Sequence, residues 1–123
     1  MSKAQWIKDN LKPGEEYAGI ILGKNGEQDY HLILLPGEIE RAGWDKAMAW
    51  AKTGTGQLPT RREQSLLFAN LREHFKAAWY WSCEQHAADS GYAWDQSFTN
   101  GDQDDNHKSY EGRARAVRRL PIQ

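Results

Sequence analysis

The sequence has a single cysteine, Cys83, among 123 residues. Small secreted domains usually rely on several disulfides, so one thiol excludes a disulfide framework. Long apolar runs are also missing, because stretches such as Leu32–Leu35 have the length of a strand and not of a membrane span. The polar start, MSKAQWIKDN, lacks the apolar centre of a signal peptide. We therefore expect no membrane insertion, no signal peptide and a cytoplasmic location.

An excess of charge of either sign is absent as well. The 16 basic and 17 acidic residues give a net charge of −1, which provides no overall attraction to nucleic acid or to a membrane surface. What the chain has in quantity is tryptophan, with six residues that must either build a core or line a surface. The length fits one domain spanning 1–123.

The first part of the chain predicts a β-hairpin. The segments YAGIIL (17–22) and YHLILL (30–35) have strand composition, and Asn25-Gly26 between them is a strong tight-turn signal. Residues 1–16 precede the hairpin as an N-terminal extension, and the part before Lys12-Pro13-Gly14 is compatible with a helix.

Two helices are predicted next. Trp44, Ala47, Met48 and Ala51 lie on one face of a helix that ends at Gly54.

The second helix has the clearest start signal in the chain. Thr60 followed by Glu63 forms a capping box, in which each side chain bonds the backbone N–H of the other residue. Leu67, Leu71 and Phe75 then form an apolar stripe.

Beyond residue 78 the pattern alternates as in strands, in WYWSCEQ, YAWDQSF and RARAVRRL. The sequence thus predicts an α+β domain in which two helices pack on an antiparallel sheet assembled from both ends of the chain. In the middle segment, alternation places Tyr92, Trp94, Gln96 and Phe98 on one face and Ala93, Asp95 and Ser97 on the other.

Metal and nucleophile motifs are weak. Asp102, Asp104 and Asn106 begin like a calcium loop, but His107 and Arg113 stand where glycine and the bidentate glutamate are needed. The four histidines show no zinc-ligand spacing. Cys83 and His86 would point to opposite faces of a strand, which favours a buried thiol packed behind Trp81 over a nucleophile. We predict neither a metal nor a cofactor.

Four arginines occur within the basic run of residues 112–120, and they allow two interpretations. They could form a nucleic-acid patch, or they could pair with carboxylates inside the fold. Alternation separates Arg118 from the others, which favours structural pairing. The candidate partners are Glu84, Asp102, Asp104 and Asp105.

The segments GWDKAMAWAK, LPTRREQSLL, WYWSCEQ, YAWDQSF with the following NG, and RARAVRR resemble a bacterial and phage family of unknown function. That family is typified by the C-terminal domain of collagen-like bacterial adhesins. The resemblance covers about residues 39 to 120 and implies a C-type-lectin-like fold related to formylglycine-generating enzymes. With one cysteine, the paired catalytic cysteines of those enzymes are missing, and the calcium motifs of animal lectins are absent too. The lectin-like term therefore describes a shape only.

The C-terminal part is also similar to the variable proteins of diversity-generating retroelements, which randomise positions encoded by Asn codons in a template. A single change at either adenine of an Asn codon gives Asp, Ser, Thr, Tyr, His or Ile. Residues of this set, or Asn itself, recur from 95 to 107, interleaved with Gln96, Phe98, Gly101 and Gln103, which do not belong to it. The resemblance implies a variable region at 79–120.

We therefore expect a non-enzymatic binding protein encoded by a phage or prophage, which would also allow a location on the phage particle. Trp81, Trp94 and Phe98 are expected in the core beneath the binding face. The partner is expected to be a protein or a surface glycan, with homo-oligomers supplying avidity. The predicted face consists of Asp89, Tyr92, Asp95, Ser97, Thr99, Asn100, Asp102, Asp104, Asp105 and Asn106.

Two alternatives remain open at this point. One is a nucleic-acid-binding or phage regulatory protein that acts through Arg113, Arg115, Arg118 and Arg119. The other is an enzyme that uses Cys83 as its nucleophile.

Overall fold

The computed structural model describes residues 2–122 and has an α+β architecture. Its helices are α1 (Lys3–Asn10), α2 (Trp44–Thr53) and α3 (Arg61–Leu71), the last followed by a 3₁₀ turn (Arg72–His74). Its strands are β1 (Glu16–Ile21), β2 (Tyr30–Leu34), β3 (Ile39–Ala42), β4 (Trp79–Gln85), β5 (Tyr92–Ser97), β6 (Gln103–His107), β7 (Gly112–Ala114) and β8 (Val117–Pro121).

The strands form two sheets where the sequence predicted one. The smaller sheet has the order β1-β2-β8 and does join the two ends of the chain. The larger has the order β3-β7-β4-β5-β6, and its β4 and β7 run parallel where Tyr80 lies opposite Arg113. The predicted strand RARAVRRL is broken at residues 115–116 into β7 and β8, which belong to different sheets.

The predicted hairpin is confirmed by the antiparallel pairing of β1 with β2. Asn25 and Gly26 both have positive φ, at 56° and 84°, as the tight turn of a hairpin requires. The N-terminal extension contains α1, which places Trp6 against Tyr17 and His31 of this sheet, with ring centroids 5.2 and 4.1 Å away.

Both predicted helices are confirmed. The α2 helix ends in a turn in which the Gly56 N–H bonds the Ala51 carbonyl and the Thr55 N–H bonds the Lys52 carbonyl. The α3 helix starts with the complete Thr60–Glu63 capping box. It ends at Leu71, so Phe75 lies beyond it, although the ring still packs against the core.

Two adjacent residues of β4 point into two separate cores. Tyr80 belongs to a cluster with Leu32, Leu67 and Phe98, between α3 and the smaller sheet. Trp81 belongs to the other cluster, in which the alanines of α2 pack on the larger sheet. Because side chains alternate along a strand, β4 joins both clusters. Among residues 2–122, no helix combines the length and the apolarity that crossing a membrane demands.

Candidate binding surface

The hairpin of β5 and β6 holds most of the predicted face. Its register runs from Tyr92 opposite His107 to Gln96 opposite Gln103. Strand β6 is the outermost strand of the larger sheet. The turn and the outer strand are therefore placed where their side chains can reach solvent.

Eight of the ten predicted face residues reach the surface, but not at one place. Thr99, Asn100, Asp102 and Asp104 lie at or next to the turn, whereas Tyr92 and Asp89 lie at the start of β5 and in the loop before it, at the other end. A five-residue strand separates the two ends by roughly 15 Å. The exposed residues are Asp89, Thr99, Asn100, Asp102 and Asp104, and the half-buried ones are Tyr92, Asp105 and Asn106.

The prediction that Asp95 and Ser97 belong to this exposed face is wrong. Asp95 is 1% exposed and Ser97 is 5% exposed. Strand β5 lies between β4 and β6, and Asp95 is paired with Trp81, whose indole is in the core. Alternation along β5 correctly assigned its side chains to two faces. It contains no information on whether other parts of the fold cover those faces, and here both faces are covered.

Trp94 is half-buried, and its predicted place in the core is wrong. The Arg61 guanidinium carbon lies 3.6 Å from the centre of the indole ring, and the His86 ring stacks on it at 5.3 Å. The indole thus packs beneath polar groups of α3 and of the loop after β4. Trp81 and Phe98, in contrast, are buried as expected, at 1% and 2% exposure.

Three glutamines, which we call the glutamine network, fix the hairpin to α3. The Gln103 side-chain amide donates to the Gln96 side chain at 2.7 Å, and Gln96 donates to the Gln64 carbonyl at 2.9 Å. Gln64 in turn donates to the Tyr80 carbonyl at 3.0 Å. Gln64 and Gln96 are fully buried, so these bonds hold strands and helix in one geometry. This role could not be predicted from the sequence, because glutamine has no positional pattern of its own.

Asn and the residues that a single adenine change in an Asn codon can give are called the Asn-codon set below. The turn between β5 and β6 is fixed by residues outside this set. The Phe98 ring stacks on Phe75 with centroids 3.9 Å apart. Gly101 has a φ of +85°, and a Cβ there would lie 3.1 Å from the Phe68 ring. Only glycine meets both conditions without strain. The path of the turn is therefore set beneath the exposed residues.

The buried Asp95 carboxyl is incompletely bonded. Its Oδ2 accepts from the Asn106 side-chain amide, while its Oδ1 has no partner in the described chain. Burial raises the pKa of Asp95 to about 7, and the negative charges of Asp104 and Asp105 add to the effect against the Asn106 hydrogen bond. The protonated carboxylic acid is thus stabilised near neutral pH.

The arginines of the C-terminal run pair inside the fold, but not with the predicted carboxylates. Arg113 bonds Glu38, and Arg118 binds Glu15 through two bonds of 2.8 and 3.0 Å. Arg115 donates to backbone carbonyls of residues 74 and 35. Because their partners all lie before residue 75, no spacing within residues 84–105 could have indicated them.

Arg119 and Glu63 form the most buried of these ion pairs. Two bonds of 2.7 and 2.8 Å join them, and the Glu63 side chain is fully buried. Burial opposes ionisation of Glu63, but bonds from Arg119, Tyr30 and the Thr60 amide together lower its pKa below the ordinary value. The capping residue of α3 is thereby tied to strand β8.

Cys83 is half-buried, and it packs against the core that contains Trp81. Burial raises the pKa of its thiol, which disfavours the thiolate that a nucleophile or a metal ligand needs. Within residues 2–122, the histidine, cysteine and carboxylate side chains form no group of three that could hold a metal ion.

No model of a known protein family matches this chain, and neither does any curated protein.

Proposed function

We propose that this chain is a non-enzymatic target-recognition protein with a C-type-lectin-like fold, encoded by a phage or prophage. Its binding face is formed by residues of the β5–β6 hairpin that reach solvent, together with the loop before β5. We call this face the hairpin surface, and it consists of Asp89, Tyr92, Thr99, Asn100, Asp102, Asp104 and Asp105.

One observation carries the proposal, and it concerns residues 96–104. The four residues outside the Asn-codon set all have structural roles: Gln96 and Gln103 in the glutamine network, Phe98 in the core, and Gly101 in the turn. Of the five residues of this range that belong to the set, Thr99, Asn100, Asp102 and Asp104 are exposed, and Ser97 is the buried exception. Substitution of the exposed residues would leave the four residues with structural roles intact, as a variable surface requires.

Asn106 is left out of the hairpin surface because its side-chain amide holds the Asp95 carboxylate. Asp95 and Ser97 are left out because they are buried. Variation by a retroelement is therefore proposed only for the exposed positions.

The charge of the hairpin surface favours a protein target with basic groups. The carboxylates of Asp89, Asp102 and Asp104 bond only neighbouring backbone or amide N–H groups. Among residues 2–122 they form no ion pair with lysine or arginine, so a cationic partner would gain electrostatic attraction. Homo-oligomers would add avidity to a small face of this kind.

The alternative of nucleic-acid binding has little to support it. Arg113, Arg118 and Arg119 are each paired with a glutamate, and Arg115 is bonded to backbone carbonyls. A phosphate would have to compete with these internal partners. The enzyme alternative also lacks support, because burial holds Cys83 as a thiol.

The test is a pair of surface-display libraries. One library randomises Thr99, Asn100, Asp102 and Asp104, and the other randomises Gln64, Gln96 and Gln103. We expect the first to retain folded, displayed protein and to yield variants that bind a purified basic protein such as lysozyme. The second should lose display, because each of its members leaves buried polar groups unpaired.

Equal loss of display in both libraries would refute the hairpin surface. A control library at the exposed α2 positions Lys46, Ala49 and Lys52 measures the nonspecific background of binding. The retroelement part has its own test in the neighbouring DNA. We expect a near-copy of the codons for 79–120 that carries adenines at the exposed positions, beside a reverse transcriptase gene.

A further inference from the structure

A second concave feature lies outside the hairpin. A groove of about 490 Å³ opens between the α1–β1 connection, the segment after β2, the end of α2 and the segment between β7 and β8. A recess of about 290 Å³ shares Thr55 and Arg118 with it. Sites for small molecules commonly have volumes of about 300–1,000 Å³. No residue of the hairpin surface lines either cavity.

The groove has an apolar floor and one aromatic wall. Leu35, Ala51 and Ala116 are buried and form the floor. The half-buried indole of Trp50 packs on the same core and lines the groove. A flat apolar ring is the ligand part that such a wall accommodates best.

The polar groups that remain unused around the groove are donors. Arg118 is held through Nε and Nη2 by Glu15 and the Asn10 carbonyl, whereas its Nη1 has no partner among residues 2–122. The Lys12 ammonium and the Trp50 indole N–H likewise have no hydrogen-bond partner in that part of the chain. Both carboxylates of the lining are already occupied: Glu15 accepts from Arg118 and from the backbone N–H of Lys12, and Glu38 accepts from Arg113 and the Tyr80 hydroxyl. The free groups therefore call for a ligand that accepts hydrogen bonds.

The end of α2 does not oppose an anion here. A helix C-terminus normally carries partial negative charge on its unbonded carbonyls. In this helix the Ala51 and Lys52 carbonyls accept from Gly56 and Thr55, and the Trp50 carbonyl accepts from the Thr53 hydroxyl. These bonds satisfy three of the last four carbonyls of the helix, which weakens the repulsion of an anion there.

We propose that this groove binds a small organic anion, with its flat apolar ring on Trp50 and its oxyanion at Arg118 Nη1 and Lys12. The oxyanion is a carboxylate or a phosphate, and Arg118 is oriented for it by its two bonds to Glu15. The site is independent of the hairpin surface, because different elements form it.

The experiment is an NMR titration of the ¹⁵N-labelled protein with four probes. Phenylacetate and phenyl phosphate carry a ring and an oxyanion, phenylacetamide has the ring without charge, and acetate has the charge without a ring. We expect the first two to shift the Trp50 indole N–H and the amides of 53–55 with dissociation constants of about 1 mM. The other two should bind at least about tenfold more weakly. Preference between carboxylate and phosphate identifies the oxyanion.

Two variants distinguish binding in this groove from general attraction of an anion to basic side chains. Lys12→Gln should weaken phenylacetate binding about threefold or more, while the matched Lys52→Gln change on α2 should leave it unaltered. Both lysines are exposed, so both variants keep the fold. Equal binding of phenylacetate and phenylacetamide, equal effects of the two variants, or no shifts at about 10 mM probe would each overturn the proposal. None of these results would affect the display test of the hairpin surface.

Discussion

Burial inside the hairpin makes ionisation of the Asp95 carboxyl unfavourable. A carboxyl whose pKa rises on folding binds its proton more tightly in the folded state than in the unfolded state. Its contribution to stability is therefore complete below its ordinary pKa of 3.8, and it is lost as pH rises towards about 7. Between those values the folded state should lose up to ~4 kcal/mol through this one group.

We predict that Asp95→Asn removes this loss. At pH 8 the variant should be more stable than the parent by about 1–3 kcal/mol, and at pH 4 the difference should vanish or reverse. Urea denaturation at a series of pH values measures both. Asp104→Asn is the control, because that side chain is exposed and acts on Asp95 only through its charge. Parallel loss of stability in the parent and in Asp95→Asn from pH 4 to 8 would contradict the assignment.

Thr55 has a backbone conformation that suits glycine better. Its φ is +60°, in the left-handed region that β-branched residues rarely adopt, and it occupies the position after α2 where glycine is usual. We predict that Thr55→Gly raises the stability by about 0.5–1 kcal/mol, because the strain is released. Thermal unfolding measures the change. Thr53→Gly, within the helix, should instead destabilise, and a loss at both positions would rule out strain at Thr55.

At the scale of elements, α3 connects the two sheets. Its capping residue Glu63 bonds Arg119 of β8 and the Tyr30 hydroxyl of β2, while Gln64 bonds β4. On its other side, Arg61 covers Trp94 of β5. The start of one helix therefore sets the relative positions of four strands.

We predict that Thr60→Ala costs about 1 kcal/mol or slightly more, because it removes the bond to the Glu63 amide and loosens the glutamate that holds Arg119. Thr60→Ser retains the hydroxyl and should cost less than half of that value. Denaturant unfolding of the two variants makes the comparison. Equal losses would show that the methyl group of Thr60, and not its hydrogen bond, is what matters.

At the scale of the whole molecule, stability and recognition are assigned to different residues. The hairpin surface contributes little to either core, whereas Trp81 and Phe98 beneath it are buried. We predict that the combined change of Thr99, Asn100, Asp102 and Asp104 to alanine alters the free energy of unfolding by less than about 1 kcal/mol.

Trp81→Ala is the comparison for that variant, with an expected loss of about 3–5 kcal/mol. Trp94→Ala should cost less than Trp81→Ala, because Trp94 is half-buried under Arg61. Calorimetry of the three variants establishes the order. A cost of several kcal/mol for the fourfold variant would refute the separation of binding face and support.

Local patterns in the sequence were sufficient for the elements with local causes. The Asn25-Gly26 turn, the apolar face of α2 and the Thr60–Glu63 box are each set by residues within one turn or hairpin, so spacing alone predicted them. The C-terminal run was also correctly read as a set of structural arginines. The turn, the helix face and the capping box rest on hydrogen bonds and side-chain periodicity that need no distant partner.

The tertiary structure alone decided which side chains of the hairpin are buried and which are exposed. Alternation along β5 assigns side chains to two faces, but only the packing of α3, β4 and β6 around it buries Asp95 and Ser97 and leaves Trp94 near the surface. The same holds for the partners of the arginines, which lie 41 to 108 residues away in the chain. Burial and long-range pairing depend on which elements meet in space, and a linear pattern of residues does not contain that information.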